Sequence, residues 1–140
     1  MKNKSVVLLS AGLDSTVNFY AALKESSVSL ALTFNYGQRA AAKEIQQAQE
    51  IARRNQVPHQ VVDLPWMKLL GSSALTQDAE QVPTGSSVMI DNHEVSAESA
   101  KSVWVPNRNG IFLNIGAGFA EGVGADYIIP GFNAEEAATF

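Results

Sequence analysis

The chain has 140 residues, a formal net charge of −4 and no cysteine. That length builds one domain with a real core, the lack of cysteine excludes a disulfide framework and a thiolate metal site within these residues, and the acidic balance argues against a general nucleic-acid-binding surface. Hydrophobic residues make up 46% and charged residues 17%, as in an ordinary soluble protein, and the first apolar run is too short for a signal peptide or a membrane span, so the cytoplasm is the expected compartment.

Ser5 to Leu9 reads as a buried strand, and Leu13 to Lys24 as a helix whose expected apolar face is Val17, Tyr20, Ala21 and Leu23. Between them lies Ser10-Ala11-Gly12-Leu13-Asp14-Ser15. A small, hydroxyl-rich turn joining a buried strand to a helix N-terminus is an anion site, because the first backbone N–H groups of the helix lack intrahelical acceptors and its dipole favours negative charge. Gly12 lets the backbone approach a phosphate and permits positive φ, while Ser10 and Ser15 add hydroxyl donors. No lysine follows in the manner of a Walker A loop. The plainer reading of the same residues is Asp14 or Ser15 as an N-cap and Gly12 as a turn residue.

Val28 to Phe34 reads as a second strand and Arg39 to Asn55 as a second helix, with Ile45, Ala48, Ile51 and Ala52 at helical spacing. Pro58 closes the connection and His59 to Leu64 reads as a third strand. Strand, helix, strand, helix, strand implies parallel pairing with right-handed crossovers. Gly71 to Ser102 is a long polar stretch broken by Pro83 and Gly85, expected as an excursion over the carboxyl edge of the sheet. Gly110 to Gly122 reads as a helix in which Gly116 and Gly118 allow close packing on the sheet, and Tyr127 to Pro130 as a fourth parallel strand. The chain stops at Phe140 without a further helix to cover that strand, leaving one poorly protected sheet edge. The expectation is a single domain over 1–140, cut short at its C-terminus.

Three polar blocks fall at the carboxyl ends of the predicted strands: Ser10 to Ser15, Asn35-Tyr36-Gly37-Gln38-Arg39, and Asn107-Arg108-Asn109. Open α/β sheets bind ligands at those ends, near the reversal of strand order. Gly37 allows a tight turn, and arginine offers planar paired donors to phosphate or carboxylate; the plainer alternatives are a solvated Arg39 and an Arg108 pairing with a nearby carboxylate. His59 and His93 read as structural or solvated, and Asp78, Glu80, Asp91, Glu94 and Glu98 as a solvated loop face from which one or two carboxylates could meet Mg²⁺. Asp63 is a further candidate to face the cleft.

The first block resembles the S-G-G-x-D-S loop of the PP-loop ATP pyrophosphatases, with Ala11 in place of the usual first glycine. The second resembles the Y-G-Q-R segment of the 7-cyano-7-deazaguanine synthase family, with Ala40 where histidine is frequent. Trp104-Val105-Pro106-Asn107-Arg108-Asn109 and Phe112-Leu113 resemble that family's Y-V-P-x-R-N-x-x-F-L, with tryptophan for tyrosine, and Gly131-Phe132-Asn133 begins a less faithful fourth match in which Glu136, Ala138 and Thr139 depart from the pattern.

The resemblance implies a doubly wound parallel α/β sheet of the adenine nucleotide α-hydrolase-like kind. It implies an ATP-dependent carbon–nitrogen ligase of queuosine biosynthesis that converts 7-carboxy-7-deazaguanine and ammonia into 7-cyano-7-deazaguanine through an adenylate. The nucleotide would lie along Leu8, Leu9, Ser10, Ala11, Gly12, Leu13, Asp14 and Ser15, with adenine against the backbone of Thr33 and Phe34 and with Asn109 nearby. Arg39 and Arg108 would neutralise phosphate or orient the carboxylate, and Asp14 would contact Mg²⁺. The family also implies zinc, whose cysteine ligands this sequence does not contain, and a homodimer, with neither membrane nor nucleic acid as partner. Another PP-loop adenylating ligase, of the tRNA-thiolating or amidotransferase type, and a non-catalytic ATP- or AMP-binding module are the alternatives.

Overall fold

Val6-Val7-Leu8-Leu9 has no polar residue, and all four are buried. A strand apolar on both faces belongs in the middle of a sheet covered on both sides. The computed structural model describes residues 2–71 and 105–131, and in it β1 (Lys4–Leu8) is such a strand. It pairs in parallel with β2 (Ser27–Asn35) on one side and with β4 (Tyr127–Ile129) on the other; β3 (His59–Asp63) lies beyond β2, so the order is β3-β2-β1-β4. The chain steps outward from β1 to β3 and then returns to the far side of β1 for β4. The strand order therefore reverses at β1, and the crevice at the carboxyl ends of β1 and β4 is the switch point where open α/β sheets take ligands.

The register sets Lys4 opposite Ser27 and Leu8 opposite Leu32, with an irregularity between Ser5 and Val6. Ser5 and Ser26 are buried there with their hydroxyls 2.8 Å apart, and the Ser26 hydroxyl also lies 2.8 Å from the Ala22 carbonyl. A carbonyl only accepts, so Ser26 donates to Ala22 and accepts from Ser5. Both buried hydroxyls are thereby satisfied, as burial requires.

Three α-helices are described: α1 (Leu13–Glu25), α2 (Ala41–Arg54) and α3 (Arg108–Val123); Pro65–Leu70 forms a 3₁₀ helix. α2 presents the expected stripe, with Ala48 and Ala52 fully buried and Ile45 and Ile51 partly so. Its outer face carries Glu50 between Arg53 and Arg54, at 2.6 and 3.0 Å. The two guanidiniums hold the Glu50 carboxyl down at about 2, but a pairing this exposed adds little to stability.

α1 corrects the sequence reading. Its buried residues are Ser15, Phe19 and Ala22, while Val17 and Tyr20 are exposed and only Leu23 of the expected face packs against the core. The helix has apolar residues on more than one side, and Phe19, the largest fully buried side chain among the described residues, decides which side turns inward. In α3, Gly116 does pack closely: a Cβ there would stand 3.2 Å from Leu8 and 3.3 Å from Ile128. Gly118 faces open space and makes no such approach.

The first core joins Val7, Leu9, Phe19, Ala22, Ala31, Ala48, Ala52 and Val57. Two compact units emerge. One is Met1–Phe34 with Ala42–Val62 and Asn107–Phe140; the other is Asn35–Ala41 with Asp63–Pro106. Most of the expected polar excursion over 71–102, with its acidic residues and His93, lies outside the described residues, as do Trp104 and the fourth motif from Phe132 onward. No described helix is long and apolar enough to cross a membrane.

Candidate functional site

β1 does not end abruptly. Leu9 N–H still donates to the Leu32 carbonyl at 2.7 Å, extending the pairing one residue past the strand. The next peptide unit, Leu9 to Ser10, leaves the sheet and is held at both ends. Its carbonyl accepts the Thr33 hydroxyl at 2.6 Å, and its N–H donates to Ser15 Oγ at 2.7 Å. Ser15 is buried, and its hydroxyl faces the Leu8 carbonyl at 3.4 Å. Its polar capacity is engaged inside the loop, so Ser15 shapes the turn, while the Ser10 side chain stands exposed at its rim.

Beyond Ser10 the backbone turns at Ala11, which sits at φ 69°. This is the left-handed region, where an L side chain crowds the following carbonyl at roughly 1–2 kcal/mol. Gly12, expected to supply positive φ, adopts φ −72° and ψ 169°, a conformation open to any residue. The strain of the loop therefore falls on the alanine. Ala11→Gly should stabilise the chain by about 0.5–1 kcal/mol, the relief exceeding the added chain entropy of glycine; thermal or denaturant unfolding checks this, and a loss of stability would contradict the assigned conformation.

Gly12 is the N-cap of α1 and makes no side-chain cap bond; its carbonyl accepts Thr16 N–H at 2.9 Å. Asp14 is exposed in the first turn, where a carboxylate complements the helix dipole. The far wall of the loop is the chain leaving β4. Asn18 Nδ2 donates to the Pro130 carbonyl at 3.0 Å. A Cβ on Gly131 would lie 2.9 Å from Ser15 Cβ, so only glycine lets this segment close against the start of α1. The loop thus occupies the switch-point crevice.

α3 brings a second set of groups to the same end of the sheet. Gly116 rests over Leu8, and one turn earlier Phe112 stacks on Phe34, with centroids 4.2 Å apart and planes 9° from parallel. One further turn out, Arg108 and Asn109 open the helix; Arg108 is half-buried, and its Nε donates to Asn109 Oδ1 at 3.5 Å. Asn107 supplies the left-handed N-cap at φ 52°, a conformation that asparagine tolerates better than most residues. Leu8 to Ser15, Thr33, Phe34, Arg108 and Asn109 all belong to this unit. Thr33 and Phe34 contribute buried side chains, one bonded to the loop and the other stacked.

Arg39 belongs to the other unit. The turn before it is closed on itself: Gln38 Oε1 accepts Tyr36 N–H at 2.9 Å, and the Gln38 carbonyl accepts Ala41 N–H at 3.1 Å. Gly37 takes φ 89°, the tight turn read from the sequence. Asn35 Nδ2 donates to Asp63 Oδ1 at 3.0 Å, so Asp63 steadies this turn. Arg39 is exposed at its end.

His59, read from the sequence as structural or solvated, places its Nε2 2.7 Å from Thr33 Oγ1. Burial pushes its pKa below the usual 6.5, favouring the neutral ring in the folded chain. The unfolded chain then binds a proton more readily, so this contribution to stability is full above about pH 6.5 and is lost as pH falls through the lower folded value. Melting temperature should fall between about pH 7.5 and 5.5, with a shallower fall in His59→Gln; identical slopes would contradict the burial of this ring.

No group of three or more His, Asp or Glu able to hold a metal occurs among the described residues. Asp14 presents an exposed carboxylate in the first turn of α1, the kind of single ligand that fits Mg²⁺, which keeps most of its waters and takes one or two carboxylates beside substrate phosphates. Zinc is different: the chain offers no thiolate, and these residues do not fit it.

A parallel sheet whose switch-point turn runs directly into a helix N-terminus is the doubly wound α/β architecture, to which the PP-loop class belongs. The model of the family described as queuosine biosynthesis protein QueC matches residues 4–140, and the chain belongs to that family. It is 64% identical over 141 residues to a 7-cyano-7-deazaguanine synthase of Bdellovibrio bacteriovorus, covering 99% of this chain and 61% of that protein. Similar proteins of the same name come from Desulforamulus reducens, 50% identical over 97% of this chain and 60% of the relative, and from Carboxydothermus hydrogenoformans, 47% identical over 98% and 63%. The chain thus spans about three fifths of the length of these curated relatives.

Proposed function

We propose that this chain carries the ATP site of a 7-cyano-7-deazaguanine synthase, an ATP-dependent carbon–nitrogen ligase that turns 7-carboxy-7-deazaguanine and ammonia into the nitrile. The observation that carries this reading is the clamped Leu9–Ser10 peptide at the switch point, which feeds a tight turn into the α1 N-terminus. Membership of the QueC family and the names of the relatives, which state the product, support the choice of reaction.

In this reaction the carboxylate of 7-carboxy-7-deazaguanine attacks the α-phosphorus of ATP, and the bond to the pyrophosphate oxygen breaks. Ammonia adds to the acyl adenylate, and AMP and a proton leave, giving the amide; the amide oxygen attacks the α-phosphorus of a second ATP, releasing a second pyrophosphate, and loss of AMP and the two nitrogen-bound protons leaves the nitrile. The protein's part is positioning and the stabilisation of developing phosphate charge. The backbone from Ala11 to Leu13 and the Ser10 hydroxyl would cradle the β- and γ-phosphates, with the helix dipole adding its field. Adenine would lie against the backbone at Thr33 and Phe34. Arg108 would offer its planar donors to phosphate or to the substrate carboxylate, with Asn109 beside it. Arg39 is assigned the same chemistry from its motif. Asp14 would hold Mg²⁺, which supplies charge neutralisation to the bound triphosphate. Action in the cytoplasm as a homodimer completes the proposal.

Mass spectrometry of the full chain with ATP, Mg²⁺, ammonia and 7-carboxy-7-deazaguanine tests it. The expected products are amide or nitrile together with AMP and pyrophosphate. ATP binding with an untouched carboxylate would overturn the substrate and point to another adenylating ligase or a nucleotide-binding module.

A further inference from the structure

A hydrogen-bonded chain runs across the sheet from β3 to the loop. The Thr33 hydroxyl, buried, lies 2.6 Å from the Leu9 carbonyl and 2.7 Å from His59 Nε2. It has one proton, and a carbonyl can only accept. The proton therefore points to Leu9, and Thr33 Oγ1 must accept from His59, which fixes the ring with hydrogen on Nε2. The Leu9 carbonyl belongs to the same rigid peptide plane as Ser10 N–H, whose other partner is Ser15 Oγ at 2.7 Å. His59 orients the hydroxyl, the hydroxyl orients the peptide, and the peptide sets the direction in which the chain enters the turn. The three residues are contributed by β1's end, β2 and β3, and all lie in one compact unit.

We propose that His59 is a positioning residue for the phosphate loop, acting through the Thr33 hydroxyl on the Leu9–Ser10 peptide, so that the loop amides face a bound triphosphate without rearrangement. This rests on the assignment of the loop to ATP. Preorganised donors gain their advantage because no reorganisation is needed when the ligand arrives. His59→Leu and Thr33→Val each remove one bond of the chain and keep an apolar side chain of similar size. His59→Gln keeps an N–H donor the same number of bonds from Cα, and Thr33→Ser keeps the hydroxyl.

Two measurements on the full chain decide the matter. In the first, made without nucleotide, amide exchange at Ser10 is followed by NMR. It should quicken roughly 3- to 10-fold in the Leu and Val variants, matching the loss of one ordinary hydrogen bond, and return to near the parent rate in the Gln and Ser variants. In the second, calorimetry with ATP well below the melting temperature should show Kd weakened by a similar factor in the Leu and Val variants and restored in the Gln and Ser variants. Unchanged Ser10 exchange in His59→Leu overturns the inference, as does unchanged ATP affinity in that variant despite a lowered melting temperature, which would reduce His59 to a structural residue. A parent chain that shows the exchange pattern but does not bind ATP would overturn the functional assignment and leave the clamp standing.

Discussion

Arg108→Ala is expected to lower the ATP-dependent rate by roughly 10²–10³-fold, the usual loss when one fixed donor to developing charge is removed from an active site. Arg108 opens α3 at the carboxyl end of the sheet, half-buried, with its Nε against Asn109. Burial of part of the side chain restricts the guanidinium, and restriction is what makes a donor effective when charge develops. Arg108→Lys keeps the charge and loses the planar fork, so it should recover only part of the rate. The check is steady-state kinetics on both variants, with unfolding curves to show that the fold is kept. A rate within about twofold of the parent in Arg108→Ala would remove this residue from the site, since the expected loss is far larger.

Phe112→Ala should be the most destabilising single change near the site, at about 3–5 kcal/mol. The ring is nearly buried and stacks on Phe34 at 4.2 Å; truncation opens a cavity and also forfeits the roughly 0.5–1.5 kcal/mol of ring pairing. A domain of this size has a total stability of roughly 5–15 kcal/mol, so much of the margin would go. The stack also fixes the first turns of α3 over the end of β2, and Arg108 stands one turn beyond. Phe112→Leu, which keeps most of the volume, should cost about 1–2 kcal/mol and weaken turnover through displacement of Arg108. Denaturant unfolding gives the first quantity and kinetics the second; a loss in Phe112→Ala below about 1 kcal/mol would contradict the packing described, being well under the range for buried aromatics.

The sheet and its flanking helices were legible because the patterns were unambiguous. Val6 to Leu9 is apolar on both faces, which only an interior strand explains, and α2 alternates Ile45, Ala48, Ile51 and Ala52 with charged residues at helical period. α1 was misread because apolar side chains occur on several of its sides, and the choice of Phe19 over Tyr20 is made by the space in the core rather than by periodicity. The positive φ falls on Ala11 rather than on Gly12 for a related reason: residue type gives a preference for positive φ, but the geometry of leaving β1 and entering α1 fixes where that φ falls. Ser15 could be placed in the loop, yet whether its hydroxyl faces a ligand or the Leu9–Ser10 peptide depends on contacts that spacing does not encode. The Thr33–His59 contact links residues 26 apart in sequence. The visible signal was a threonine within an apolar strand, a buried hydroxyl that needs a partner. Arg39 and Arg108 were singled out by their polar blocks at the carboxyl ends of predicted strands and then by motif resemblance; composition alone gives no reason to prefer them to other arginines.

The most direct test of the central claim is a titration of the isotope-labelled full chain with ATP and Mg²⁺, following backbone amide resonances. If the switch-point turn holds the triphosphate, the largest shifts fall on Ser10, Ala11, Gly12 and Leu13, with smaller ones at Thr33, Phe34 and Asn109, and the outer face of α2 around Glu50 and Arg53 stays silent. Saturable shifts centred elsewhere, with the residues from Ser10 to Leu13 unmoved, would contradict the assignment of this loop as the phosphate site.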